Sequence, residues 1–325
     1  MLSIIIVNWN SKDYVRECLR SLEKHVTSAY ETIVVDGASF DGCAEMIAAE
    51  FPAVRFVQSH TNVGFGRCNN LGAQHAIGEY LLFLNPDTEV KPWALEALLE
   101  VASADPEVGL VGARLLNTDG SLQTSSVHAL PTPLNQALDS NFLRRLFPGL
   151  RLWGTHAAYH SSKPVPVEAV SGACMLISHE LFTRIGGFCP HYFMYAEDMH
   201  LCWDVSKFDK LVVHQPKAEI IHHGGGASSG EFSRFSCLEM RRAVNHFITA
   251  RKGPVAGFIY RTLVGASAIG RLALLCTSLA FTTPTRRAVL RSSINRWWTT
   301  LRWATGNLER EKSPAGKADG TLVSS

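Results

Sequence analysis

Short apolar runs rich in β-branched residues alternate with longer segments of helical apolar spacing over roughly the first 115 residues. The runs predict strands at Ser3–Val7, Thr32–Val35, Val54–Gln58, Tyr80–Leu84 and Val108–Arg114. The intervening segments predict helices over Lys12–Lys24, from about Asp41, from about Asn69 and over Pro92–Ala104. This order predicts an α/β fold with a mostly parallel, Rossmann-like sheet flanked by helices.

The pattern becomes less regular between residues 116 and 240. Gln123–Pro166 is rich in Pro, Ser and His without sustained periodicity, which predicts a loop or lid. Regular structure resumes with Val167–Ile177, helices at His179–Ile185 and from Glu197, and short strands at Leu211–Val213 and Glu219–Ile221. We therefore expect one domain over residues 1–240, with halves of about 1–115 and 116–240.

Residues 241–308 have a different pattern. Gly253–Thr283 is apolar, but Arg261 and Arg271 interrupt it and leave no charge-free stretch that comfortably spans a bilayer. Basic and aromatic residues then interleave: Arg286, Arg287, Arg291, Arg296, Trp297, Trp298, Arg302 and Trp303. This predicts amphipathic helices on a membrane surface, the alternative being a basic helical subdomain with its own core. The tail 309–325, rich in Ser, Gly, Lys and Ala, is predicted to be disordered.

The charge distribution supports the prediction of membrane-surface helices. The 325 residues carry a formal net charge of +2, yet the segment from Arg241 to Arg302 holds eleven Lys or Arg and no Asp or Glu. The remaining sequence holds 20 basic and 29 acidic residues. We therefore expect the C-terminal segment to meet an anionic membrane surface.

Cysteine usage and the N-terminus indicate the compartment. The eight cysteines include no C-x-x-C pair, which argues against a zinc knuckle or a redox dithiol and favours reduced thiols. The opening MLSIIIVNWN has no basic region before its short apolar run, so it predicts a strand rather than a signal peptide. The protein is predicted to be cytoplasmic and peripheral at the inner face of the cell membrane.

Polar residues follow several of the predicted strands. Ligands of parallel sheets bind beyond the carboxyl ends of the strands, where Asn8, Asp36 and Asp87 fall. Asp36 can accept hydrogen bonds from a base or ribose, although an Asp after a strand is as often a turn or cap residue. Asp87, two residues after Asn85, is a candidate ligand of Mg²⁺ or Mn²⁺ if phosphate oxygens and a second protein ligand complete the shell.

Two further segments offer ligands. His222 and His223, before a run of glycines, can supply the second metal ligand or form a structural turn. The turn Asn62–Arg67 precedes a helix, so its backbone N–H groups and the Arg67 side chain can face phosphate.

An acidic pair, Glu197-Asp198, begins a predicted helix after the aromatic run Tyr192–Tyr195. One interpretation is that these charges complement the helix dipole. The other is that Asp198 acts as a general base beside an apolar wall that excludes water.

Seven motifs at these positions occur together in a known family: SIIIVNWNS, IVVDGASFDG, NVGFGRCNN, LLFLNPDTEV, VSGACMLI, FMYAEDMHLCW and AEIIHHGG. By their order and separation, residues 2 to 250 resemble the family 2 glycosyltransferases, particularly the bacterial rhamnosyltransferase-like branch. The resemblance implies a GT-A fold over residues 1–240, with a nucleotide-binding first half and an acceptor-binding, catalytic second half.

The resemblance also implies a reaction. A sugar, with dTDP-rhamnose the candidate donor, would pass from a nucleoside diphosphate to a cell-envelope or polyprenyl-diphosphate-linked glycan by inverting displacement. Asp198 resembles the catalytic base, Asp36 the nucleotide-contacting aspartate and Asp87 the second carboxylate of the D-x-D motif. His222 resembles the histidine that completes the metal site, with His223 as the alternative. The other implied contacts are Asn8, Arg67 and Asn85 to the nucleotide sugar, and Tyr195 and Glu197 on the acceptor side.

Departures from the family pattern define the rival hypotheses. Asn85 replaces the first D of D-x-D, Gly37 and Phe40 replace an expected Asn and Thr, and His200 replaces a second acid. The changes at Gly37, Phe40 and His200 motivate an alternative, a catalytically impaired membrane scaffold or glycan-binding subunit. A dinucleotide-binding oxidoreductase is excluded because no G-x-G-x-x-G follows the first strand. No nucleic-acid partner is expected; DNA binding by the basic segment is the remaining rival.

Overall fold

The chain folds into two units in the computed structural model, which describes residues 1–139, 143, 146, 147, 149–156, 160–224, 234–279 and 284–307. The first unit comprises residues 1–130 and 141–230, and the second comprises 131–140 and 231–325. The second unit therefore includes a short piece of the predicted loop and begins earlier than residue 241. The predicted disordered tail, 309–325, lies outside the described residues.

The first unit contains the strands and six helices of the described chain. The strands are β1 Leu2–Asn8, β2 Tyr30–Asp36, β3 Arg55–Gln58, β4 Tyr80–Leu84, β5 Thr88–Val90, β6 Val108–Leu116, β7 Val127–His128, β8 Val165–Val167, β9 Ala169–Val170, β10 Cys174–Ser178 and β11 Leu211–His222. The helices are α1 Lys12–His25, α2 Cys43–Glu50, α3 Phe65–Ala73, α4 Ala94–Ala104, α6 His179–Ile185 and α7 Glu197–Lys207.

Nine strands form one sheet in the order β3-β2-β1-β4-β10-β6-β11-β5, with β8 also on β11. The pairs β1–β2, β1–β4, β2–β3 and β6–β11 are parallel, whereas β10 runs antiparallel between β4 and β6. Every residue of β1 is buried, as expected for a strand covered on both faces. The predicted α/β fold with a central sheet flanked by helices is confirmed: six of the nine strands run in one direction, and β5, β8 and β10 run opposite to them.

The strand register gathers polar residues at one edge. Asn8 at the end of β1 lies opposite Asp36 at the end of β2. His222 at the end of β11 lies opposite Thr88, the first residue of β5. Residues far apart in sequence are therefore brought together by hydrogen-bonded backbone rather than by flexible loops.

Several element boundaries differ from the sequence-based expectation. The two strands predicted over 211–221 form the single strand β11, whose register shifts between Gln215 and Glu219, next to Pro216, which has no N–H to donate. Helix α3 begins at Phe65 rather than near Asn69. The predicted loop contains α5, Pro133–Leu138, which is stabilised by a capping box between Thr132 and Asn135.

The second unit consists of α5 and three long helices, α8 Arg234–Lys252, α9 Pro254–Leu279 and α10 Pro284–Ala304. Helix α9 packs against α5, α8 and α10. By length and composition alone it is long and apolar enough to cross a membrane, which the sequence analysis did not expect of this segment.

Candidate functional site

The carboxylate of Asp36 is fixed by side chains from three neighbouring segments. Asn8 Nδ2 donates to Oδ1 at 2.7 Å and Gln58 Nε2 donates to Oδ2 at 2.7 Å. The backbone N–H of Ser39 donates to Oδ2 at 3.0 Å, and its hydroxyl donates to Oδ1. The structure therefore brings the predicted residues Asn8 and Asp36 together. It adds Ser39 and Gln58, which the sequence analysis missed because nothing in their spacing marks them.

Two aromatic side chains next to this carboxylate face solvent. Trp9 directly follows Asn8 and is 38% exposed, while Phe40 is 72% exposed and has a left-handed backbone (φ +52°). An aromatic residue immediately after a strand end was the available sequence signal. Exposed flat apolar groups beside a hydrogen-bonding carboxylate suit a planar, polar ligand such as a nucleobase.

The candidate metal ligands Asp87 and His222 lie together. His222 Nε2 is 3.4 Å from Asp87 Oδ1 and 3.4 Å from Asn85 Nδ2. On the other side of the ring, Nδ1 is 2.7 Å from Gln123 Oε1. A proton on Nδ1 donated to Gln123 leaves the Nε2 lone pair directed toward Asp87, the arrangement typical of metal-binding imidazoles.

His223 has different partners. Its Nε2 is 2.7 Å from Glu89 Oε1 and its Nδ1 is 3.2 Å from Thr118 Oγ1. Its backbone N–H donates to the carbonyl oxygen of Asp87 at 2.9 Å. The geometry thus favours His222 over His223 as the partner of Asp87.

The donor set at Asp87 and His222 fits a divalent cation that is shared with a ligand. Within the described ranges, no group of three or more His, Cys, Asp and Glu side chains is arranged to hold a metal ion. One carboxylate and one imidazole leave most of an octahedral shell to be filled by phosphate oxygens and water, as is usual for Mg²⁺ sites on nucleotides.

The predicted base Asp198 lies in the first turn of α7 and is half-buried. The N–H of Gly172 donates to its Oδ2 at 3.0 Å, and the N–H of Met199 donates to its Oδ1 at 2.8 Å. A Cβ at Gly172 would lie 3.2 Å from the Cβ of Asp198, so a glycine permits this approach. Each carboxylate oxygen accepts only one of these bonds and retains capacity for a further donor.

A backbone contact connects the segment that holds Asp198 to the segment that contains Asp87. The N–H of Asn85 donates to the carbonyl oxygen of Ala173 at 3.0 Å, and Ala173 follows Gly172 directly. Asp198 and Asn85 are therefore held by two adjacent residues, whereas the sequence predicts a common sheet edge only for Asn8, Asp36 and Asp87.

Glu197, predicted to be on the acceptor side, is buried beside Asp198. Its Oε2 has no hydrogen-bond partner among the described residues. Burial, together with the neighbouring charge of Asp198, raises the pKa of Glu197 well above its ordinary value, so this carboxyl favours its neutral form. The preceding residues Tyr195 and Ala196 have positive φ values of +71° and +62°, a strained turn of the kind found at functional sites.

The glycine-containing turn at residues 62–67 packs on the segment that leads to Asp198. Gly64 has a φ of +90°, and the N–H of Phe65 donates to the carbonyl oxygen of Phe193 at 3.0 Å. Arg67 donates from Nη2 and Nε to the carbonyl oxygen of Pro190 at 2.6 and 3.0 Å. The structure thus places the Arg67 guanidinium on the segment that leads to Asp198, and its contact with the nucleotide sugar stays a prediction.

The chain is similar to several known proteins. Residues 3–196 match the profile of "Glycosyl transferase family 2". The chain is 28% identical over 236 residues to N-acetylglucosaminyl-diphospho-decaprenol L-rhamnosyltransferase of Mycobacterium tuberculosis, covering 69% of this chain and 76% of that protein. It is 25% identical over 241 residues to rhamnosyltransferase WbbL of Escherichia coli, covering 72% and 88%.

A solved structure shares the fold. Mannosyltransferase PcManGT from Pyrobaculum calidifontis, in complex with GDP-Man and Mn²⁺, superposes with a TM-score of 0.57 at 17% identity, covering 94% of this chain and 86% of that one. The GT-A fold implied by the sequence motifs is confirmed. The chain belongs to glycosyl transferase family 2 and is a glycosyltransferase.

Proposed function

We propose that this protein transfers a sugar from a nucleoside-diphosphate donor to a polyprenyl-diphosphate-linked or other cell-envelope glycan, with dTDP-rhamnose as the candidate donor. Two similar proteins are named as rhamnosyltransferases, and the name of one includes a diphospho-decaprenol acceptor. The observation that carries the proposal is that the adjacent residues Gly172 and Ala173 hold Asp198 and Asn85, and that Asp87, two residues after Asn85, lies 3.4 Å from His222.

The proposed reaction is a single in-line displacement. Asp198 takes the proton of the acceptor hydroxyl as its oxygen forms a bond to the anomeric carbon. The bond from that carbon to the diphosphate oxygen breaks at the same time, and the nucleoside diphosphate leaves with the electron pair. Attack opposite the leaving group inverts the anomeric centre. Gly172 and Met199 hold the Asp198 carboxylate in place for the proton transfer.

Asp87 and His222 are the residues that would hold Mg²⁺ or Mn²⁺, and Gln123 would orient the imidazole from behind. When bound, such a cation supplies compensation for the negative charge on the departing diphosphate. Asp36 is buried and its two oxygens accept several hydrogen bonds, so it would accept hydrogen bonds from the nucleoside in place of those that Gln58 and Ser39 donate.

Replacing Asp198 with Asn tests the base. We expect kcat to fall by about a hundredfold to ten thousandfold, because the amide cannot take a proton, while the KM for the donor changes by less than about threefold. Asp209→Asn is the matched control, since Asp209 is exposed with a φ of +56° that Asn tolerates. Full turnover by the Asp198→Asn protein would refute the assignment, and nucleotide binding without turnover by the native protein would support the scaffold alternative.

The metal site has a test that does not depend on turnover. Mn²⁺ binding in the presence of dTDP, followed by electron paramagnetic resonance, should weaken by about tenfold or more for His222→Ala because one ligand is lost. His223→Ala is the control, because its imidazole contacts Glu89 and Thr118 instead. Weakening by His223→Ala alone would reverse the assignment.

Peripheral association with the inner face of the cell membrane is part of the proposal. An acceptor anchored by a polyprenyl chain stays at the bilayer, and the segment with eleven basic and no acidic residues suits an anionic surface.

A further inference from the structure

Helix α9 carries an uncharged apolar face along its exposed side. Its large exposed residues fall within less than half of the helix circumference at 100° per residue: Val255, Phe258, Ile259, Leu263, Ile269 and Leu274. The exposed residues between them on this side are Thr262, Ala266, Gly270 and Ala273. This α9 outer face is about 29 Å long and has no charged side chain.

The two arginines that interrupt the apolar sequence are bound on the other sides of the helix. Arg261 Nη2 donates to the carbonyl oxygens of Trp303 and Ala304 at 3.2 and 3.3 Å, at the end of α10. Arg271 Nη2 donates to the carbonyl oxygen of Asp139, the C-terminal cap of α5, at 2.8 Å. Cations at helix C-termini are favourable partners for unsatisfied carbonyls. These two charges interrupt the apolar sequence, but they are absent from the α9 outer face.

Tryptophan rings hold both guanidinium groups in these positions. Arg261 lies 5.5 Å from the ring centroid of Trp303, and Arg271 lies 4.3 Å from that of Trp297. Arg271 is half-buried, and desolvation lowers its pKa below the ordinary value. The contacts therefore keep two charges within the helical unit and leave the outer face apolar.

We propose that the α9 outer face inserts into the surface of an anionic lipid bilayer, an inference that rests on the proposed membrane association. Charge complementarity favours lipid over a second copy of this chain, because α9 and α10 contain basic but no acidic residues. On α10, Arg291, Trp298 and Arg302 are exposed and fall on one side of the helix. Arginine next to tryptophan is typical of segments at the headgroup level.

The helix lies along the bilayer rather than crossing it. A spanning orientation would carry Arg261, Arg271 and their partner helices into the hydrocarbon, at a high cost in free energy. An orientation in the plane of the interface buries Phe258 and Ile269 among acyl chains and keeps the packed side of α9 in the aqueous layer.

Sedimentation with vesicles that mix phosphatidylglycerol and phosphatidylcholine tests the face. Ile269→Glu places a charge at a 58% exposed position and should lower the partition coefficient of the full-length protein by about tenfold or more. Ala250→Glu, at an exposed position of α8, makes the same charge change and should lower it by less than about threefold. Circular dichroism should show the same helix content for both variants.

Three results would overturn the inference. Equal loss of vesicle binding in the two variants would mean that charge alone drives association. A native dimer converted to monomer by Ile269→Glu, with vesicle binding unchanged, would assign the face to a second copy. Resistance of the native protein to alkaline carbonate extraction from membranes would indicate a spanning helix.

The vesicle-binding experiment and the glycosyl-transfer experiment can fail independently of each other. Turnover with a water-soluble short-chain acceptor analogue does not require a bilayer, so Ile269→Glu should retain it within about twofold. Loss of vesicle binding with this turnover retained supports the inference. Absence of turnover in the native protein would refute the proposed reaction while the vesicle result still tests the face.

Discussion

Glu197 is a buried carboxyl group next to Asp198, the proposed base, and the neutral form of Glu197 is favoured in the folded protein. The pKa of Glu197 is higher in the folded protein than its ordinary value of 4.5, so the contribution of this residue to stability is complete below pH 4.5. That contribution is lost as the pH rises toward and through the raised pKa. We predict that Glu197→Gln, which cannot ionise, removes this loss. The difference in free energy of unfolding between Glu197→Gln and the native protein should shift in favour of the variant by at least about 1 kcal/mol when the pH is raised from about 5 to about 9.

Urea unfolding at a series of pH values measures this difference. Glu180→Gln is the matched control, because the Glu180 side chain is 82% exposed and its substitution should leave the pH profile unchanged. Parallel profiles for native protein and Glu197→Gln would show that Glu197 ionises normally despite its burial.

At the residue scale, the sequence predicted candidate chemical groups but not the side chains that hold them. Residue type offered His222 or His223 as a partner of Asp87, the family resemblance implied His222, and in the structure Asp87 and His222 lie in contact. Gln123, which orients the imidazole, lies in a segment predicted only as a loop. Its role depends on a side chain–side chain contact over 99 residues of sequence, which no local pattern encodes.

At the element scale, the turn before α3 packs closely against the segment that leads to Asp198. Gly64 has a φ of +90°, and a Cβ there would lie 2.1 Å from the carbonyl oxygen of Phe193. We predict that Gly64→Ala lowers the free energy of unfolding by at least about 3 kcal/mol, since it adds a backbone clash to a conformation (φ +90°, ψ +167°) that is essentially restricted to glycine. Turnover should also fall, because the displaced segment positions α7.

Gly186→Ala is a control for a positive φ without a clash. Gly186 has nearly the same φ, +89°, with a ψ of +17°, and a Cβ there would meet no atom within 4 Å. We expect this control to lose only about 1 kcal/mol, the cost of the left-handed conformation itself. Chemical denaturation of both variants decides the question, and equal losses would mean that the Phe193 contact adjusts at little cost.

Strand direction and short strands were the parts of the fold that the pattern of apolar residues could not determine. The run at Cys174–Ser178 is apolar enough for either direction, and it runs antiparallel between β4 and β6. Strand β5, Thr88–Val90, is too short to show a period and is held by its register with β11. Long segments such as α1 were predicted correctly because their periodicity is set by local burial.

At the scale of the whole molecule, a cationic C-terminal segment follows a sequence whose acidic residues outnumber its basic ones. If this segment brings the enzyme to an anionic bilayer, salt should affect catalysis only when the acceptor is in that bilayer. We predict that raising NaCl from about 0.05 to about 0.5 M lowers turnover of a vesicle-embedded acceptor by about fivefold or more, because the Debye length shrinks to a few ångströms. Turnover of a water-soluble acceptor analogue at the same donor concentration should change by less than about twofold. An equal fall with both acceptors would locate the salt effect at the nucleotide site. Insensitivity of the vesicle reaction would mean that the α9 outer face associates with the bilayer without help from the basic residues.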